Sequence, residues 1–175
     1  MKTKTKQIIP VAHVVAWIIY IGLCIKAGGL IISFIISLMG NPALAGEIYA
    51  DLDLSMLRQA GMRHYISVVS LLAALYCLKA HVFYILIQIL STLNLDYPFS
   101  TRVASWVDTI SQLMLGMSVL ALIAEGYCGW LAKRGVAITQ SWGSSEYLFM
   151  AGVVFIVALV FRRGTEMQAE NELTV

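Results

Sequence analysis

The stretch His64–Ser100, HYISVVSLLAALYCLKAHVFYILIQILSTLNLDYPFS, decides the fold. From His64 to Leu93 it carries neither Gly nor Pro and is almost wholly apolar. It reads as one unbroken helix, on the order of 45 Å long at about 1.5 Å per residue. The hydrocarbon core of a bilayer is roughly 30 Å thick, so this run is long enough to cross it with one end tilted or projecting. Lys79 and His81 are set inside the apolar run. A polar turn, Asn94–Ser100, closes the stretch. Pro98 biases Tyr97 away from helical torsions, and Ser100 is placed to cap a helix starting at Thr101.

Working outward, the rest of the chain repeats the theme. Of its 175 residues 59% are hydrophobic and 13% charged, against roughly 45–50% and about 25% in soluble domains. The apolar residues come in blocks of spanning length, which argues against a very greasy soluble core. A basic polar tail, MKTKTKQ, precedes an apolar run from about Ile8 to Met39. That run is too long for a signal-peptide core of about 7–15 residues and lacks a small-x-small cleavage site, so it reads as an uncleaved first span. Lys26 and Gly28-Gly29 interrupt it, and it either tilts, bends near the glycines or projects beyond the membrane. Asn41-Pro42 ends it.

Residues 40–63 read as an extramembrane loop with local helix, Asp53 or Ser55 being its candidate N-cap. A third span runs from about 103 to 127, with Asp108 near its start, Glu125 near its end, and Gly126, Gly129 and Gly135 marking the exit. A fourth runs from Trp142 to Phe161, stopped by Arg162-Arg163-Gly164 and followed by a polar tail. Trp106, Trp130, Trp142 and Tyr147 fall near span ends, where an aromatic belt places them. The expectation is an all-α, single-domain integral membrane bundle of four transmembrane helices, spanning about 11–38, 64–92, 103–127 and 142–161.

Four crossings put both termini on one side. The termini and the 94–102 turn hold Lys2, Lys4, Lys6, Arg102, Arg162 and Arg163; the other two loops hold Arg58, Arg63, Lys133 and Arg134. That bias favours cytoplasmic termini. The net charge of +2 is small and its basic residues are scattered, so direct nucleic-acid binding is not signalled. Cys24, Cys77 and Cys128 form no CxxC, which leaves neither a thioredoxin-like nor a zinc motif.

The ionisable residues within the spans are the candidates for chemistry. Lys26, Lys79, His81 and Asp108 make a candidate intramembrane polar site, since an ion at membrane depth costs roughly 2.5–3.5 kcal/mol on insertion scales. Tyr76 and Phe83 share the helical face of Lys79, whereas His81 lies on another. Against this, if the span occupies roughly Tyr65–Tyr84, Lys79 nears the cytoplasmic interface and its stem snorkels to water, the rest of the helix projecting as an apolar docking surface. Cys24-x-Lys26 and Cys77-x-Lys79 repeat one small pattern on antiparallel helices; level, facing lysines would repel, and coincidence is the simpler reading. His13, His64 and His81 are too dispersed for a metal site, and haem ligation in the bundle has little to recommend it. No cofactor is signalled. Ser67, Ser70, Ser111 and Ser118 read as serines bonding to their own backbone or across to a neighbouring helix, and Gly116 and Ala121 as close-packing positions. No nucleophile–base pair or metal constellation marks an enzyme.

Three stretches carry a family resemblance: IIYIGLCIKAGGLIISFIISL in the first helix, LKAHVFYILIQILSTLNLDYPFS in the second, and the tail FRRGTEMQAENELTV. LKA-x-x-FY, the PFS turn and the FRRG-x-EL-x-x-EN-x-LTV-like ending resemble the domain of unknown function 2975 family, small bacterial four-helix membrane proteins. Relatives often carry an acid where this chain has Lys26 and Ala169. The resemblance implies a bacterial cytoplasmic membrane and no established activity. It also implies a neighbouring helix-turn-helix regulator, which such genes often stand beside.

Two expectations about function follow. The first is a regulatory or sensory membrane protein holding a cytoplasmic DNA-binding partner. Its candidate contact surface is Pro98, Phe99 and Ser100 in the turn, and Arg162, Arg163, Glu166, Glu170 and Glu172 in the tail. Glu166 and Glu170 stand one helical turn apart and form an acidic face; on charge alone such an end serves solubility, and the specific tail raises the partner reading. The second is a small channel or transporter formed by a homo-oligomer, its path lined by Lys26, Lys79, His81 and Asp108.

Overall fold

The computed structural model describes residues 2–38, 57, 60–93, 100–136, 138 and 140–172. Four long helices carry the architecture: α1 (Lys2–Leu38), α2 (Met62–Thr92), α3 (Thr101–Ala132) and α4 (Ser144–Glu172). Each contains a segment long and apolar enough to cross a membrane. They pack in chain order, α1 on α2, α2 on α3, and α3 most extensively on α4.

The helices overrun the expected spans at several ends. α1 starts within the basic tail and passes through Pro10 and Gly28-Gly29 without interruption. A helix in lipid satisfies its backbone internally, and a single Pro is absorbed locally. α3 likewise continues through Gly126 and Gly129, so these glycines do not mark its exit. Its stop is at Gly135 (φ 86°), where Val136 N–H donates to Leu131 O at 3.2 Å and Gly135 N–H to Ala132 O at 3.0 Å. That pairing closes a helix with a left-handed residue, which glycine adopts without steric penalty. α4 does not end at Arg162-Arg163 but carries the tail on as helix. The Asn41-Pro42 stop, the caps Asp53 and Ser55, and the Pro98 turn lie outside the described residues.

Ser100 does cap α3. Its backbone is extended, and its Oγ accepts from Val103 N–H at 3.3 Å. Such a cap contributes about 1 kcal/mol.

The buried core gathers on α2 and α3, around Val68, Leu72, Val103, Ala121 and Leu131, with Leu57 and Trp142 packed in from the connectors. Trp142 is therefore core and not part of an exposed aromatic belt, because the chain folds back along α3 before α4 begins. Gly116 is exposed and faces open space, so it is not a packing contact. Ala121 is fully buried, as a close-packing position requires.

Candidate functional site

Helix-to-helix polar contacts concentrate where α4 meets α3. Gly143 (φ 70°) makes the left-handed turn that starts α4. Behind it, Glu125 of α3 accepts from Ser144 Oγ–H at 2.6 Å and from Ser144 N–H at 3.3 Å. The carboxylate thus satisfies an orphan donor at a helix N-terminus, where negative charge is favoured. Ser118 Oγ donates to Ser144 O at 3.1 Å, and a turn and more along, Ser111 Oγ donates to Ala151 O at 3.2 Å. Both serines are buried. Ser67 and Ser70 instead bond back to Arg63 O and Ser67 O on their own helix. The two expected serine roles are both present.

At the far end of the same helix pair, Arg162 Nη2 lies 3.9 Å from Asp108 Oδ2. Asp108 also accepts from Gln112 Nε2 at 3.1 Å. α4 is therefore tied to α3 by a carboxylate at each end, Glu125 at its start and Asp108 near Arg162. Asp108 belongs to this tie, away from Lys79. Beyond it, Arg163 pairs with Glu166 at 2.7 Å, and Thr165 Oγ1 donates to Arg162 O. Glu166 and Glu170 are exposed on the continuing helix. Pro98, Phe99 and the Glu172 side chain lie outside the described residues.

Lys79 is half-buried near the middle of α2. Its ammonium lies 5.2 Å from the centre of the Tyr76 ring and 5.4 Å from that of Tyr147 on α4. The same-face prediction for Tyr76 holds, and Tyr147 is the contact that spacing alone does not reveal. His81, on another face, is exposed and stacks on Tyr84, which in turn meets Tyr20 of α1. Lys26 is exposed on α1. Lys79, His81 and Asp108 each meet different neighbours.

A third cluster joins the start of α2 to the end of α3. His64 Nδ1 and Tyr127 Oη are 2.7 Å apart, Tyr127 stacks on Trp130, and the Arg134 guanidinium lies 3.9 Å over the Trp130 ring. The cluster joins the two helices through a hydrogen bond, ring stacking and a cation–π contact. Among the described residues, no group of three His, Cys, Asp or Glu side chains could hold a metal ion.

The architecture defines a class: all-α proteins of four long helices, each apolar enough to span a bilayer, joined by cross-helix polar ties. Within that class the chain belongs to the family described as Protein of unknown function (DUF2975), matching it over residues 37–175. No curated protein and no solved structure matches the chain.

Proposed function

We propose that the protein is a membrane-embedded regulator whose α4 extension holds or modulates a cytoplasmic DNA-binding partner. The observation that carries this reading is the continuity of α4, a single helix from Ser144 to Glu172. It is anchored by Glu125 at one end, tied by Asp108 at Arg162, and then runs on to exposed Glu166 and Glu170. A displacement of α4 along α3 is delivered to the tail without a flexible joint. The acids there offer a face to a basic partner, and the neighbouring helix-turn-helix regulator implied by the family resemblance is a partner of that chemistry. The termini lie on the cytoplasmic side in this reading.

The test is co-purification from native membranes. A helix-turn-helix protein should copurify with the full chain, and its promoter output should change when the tail is deleted. The double charge reversal Glu166→Lys/Glu170→Lys should release it. No associated regulator, together with unchanged transcription after tail deletion, rejects the reading.

A further inference from the structure

We propose that Lys79, flanked by Tyr76 and Tyr147, is a binding site for a phospholipid phosphate, placed where the bilayer surface opposite the termini crosses the helices. The first support is the connector between α3 and α4. Residues 136, 138 and 140–143 have no regular structure, and Ser141 is exposed. Non-helical backbone that is not enclosed by protein cannot lie in hydrocarbon, where its polar groups go unsatisfied. Yet this connector delivers Ser144 to a position beside Ser118, well short of the end of α3 at Ala132. The segment of α3 from Ser118 to Ala132, about 21 Å at 1.5 Å per residue, therefore runs beside chain that lipid tails do not surround.

The second support is length. From Ser144 to Arg162, α4 rises about 27 Å, close to the roughly 30 Å of a hydrocarbon core. The layer fits between the Glu125–Ser144 tie and the Asp108–Arg162 tie. Exposed Leu122 and Ile123 lie on the order of 6–8 Å past Ser118, within the headgroup layer of a bilayer about 40–45 Å thick overall.

The third support is chemistry. Lys79 reaches Tyr147, less than one turn inside Ser144, so its ammonium lies at that boundary. Among its described neighbours are two aromatic faces and no carboxylate. Rings attract a cation without neutralising it, which leaves the charge available to an anion. Lys26 stands at a similar level. Tyr20 meets Tyr84 and Phe34 stacks on Tyr65, which sets Lys26 across from the 73–78 stretch of α2. Lysine and tyrosine at one depth are the groups that meet phosphates at a bilayer surface. In this placement the end of α1, the start of α2 and the end of α3, with Trp142, stand outside the hydrocarbon, and exposed Ile31, Ile32 and Ile35 of α1 lie past the Lys26 level with them.

Two measurements on the full chain test this. In the first, Ser70→Cys and Phe155→Cys are each made in a Cys24→Ser/Cys77→Ser chain that keeps buried Cys128. In open phosphatidylcholine bilayers, a charged, membrane-impermeant maleimide should label Ser70→Cys about tenfold faster than Phe155→Cys, since charged reagents do not enter hydrocarbon; both should label in detergent. Equal, slow labelling at the two positions in bilayers overturns the placement. In the second, dioleoylphosphatidylglycerol retained by the purified chain is counted by native mass spectrometry. Lys79→Gln should lose most of it, and Lys133→Gln, at an exposed lysine past α3, should not. Unchanged retention in Lys79→Gln overturns the site. Displacement by millimolar inorganic phosphate shows a free-anion site and overturns the lipid assignment.

Discussion

Glu125 holds the first residue of α4 through two of its groups, Ser144 Oγ–H at 2.6 Å and Ser144 N–H at 3.3 Å. Removing the carboxylate leaves both donors without that acceptor in a buried residue. Glu125→Ala should therefore lower stability by about 1–3 kcal/mol, read as a lower thermal midpoint in detergent. Glu125→Gln keeps an oxygen acceptor at the site and should lose less. Equal midpoints for Glu125→Ala and the parent would remove Glu125 from any anchoring role.

The opposite tie should matter far less to stability. Arg162 and Asp108 side chains are 65% and 29% exposed and 3.9 Å apart. Pairs of this kind contribute roughly 0–1 kcal/mol. Asp108→Asn should shift the midpoint slightly, and the shift should shrink in high salt. Its larger expected effect is on the tail: if α4 transmits displacement, Asp108→Asn should alter promoter output while leaving the fold intact. A large midpoint loss with no change in output contradicts that division of labour.

Much of this architecture is legible before any coordinates, and the exceptions share a cause. Apolar blocks around Ile8, His64, Val103 and Trp142 announce the four helices because spanning length is a one-dimensional property. Ser100 as a cap and Tyr76 beneath Lys79 are also local, at spacings of three residues. The Glu125–Ser144 tie and the Tyr147 ring over Lys79 depend on how far the 133–143 connector folds back along α3, and no periodicity records that path. The tail looks like a polar end because charge masks its helical continuation. Gly116 invites a packing role by residue type, yet faces outward.

The rings around Lys79 give a pairwise prediction. A double-mutant cycle of Lys79→Met and Tyr147→Leu isolates their coupling from the burial lost in each single variant. A cation partly shielded between rings should show about 0.5–2 kcal/mol of coupling. Zero coupling in unfolding titrations would mean that the ammonium rests near Tyr147 without drawing energy from it.

Trp142 supplies the last test, because its shape and its polarity make opposite contributions. The side chain is 4% exposed and sits in the core cluster beside α3. Its Nε1–H is buried without a formed hydrogen bond among the described residues, the neighbouring Cys128 sulfur being at best a weak acceptor. An unpaired buried donor costs about 1–3 kcal/mol, so replacing the indole by a ring with no polar atom removes a penalty along with some contact area. Trp142→Phe should thus be close to neutral, whereas Trp142→Ala opens a cavity and should cost about 3–5 kcal/mol. Matched thermal and denaturant unfolding of the two variants decides it. If Trp142→Phe proves as damaging as Trp142→Ala, the indole N–H is bonded in the working protein, and the connector lies differently against α3.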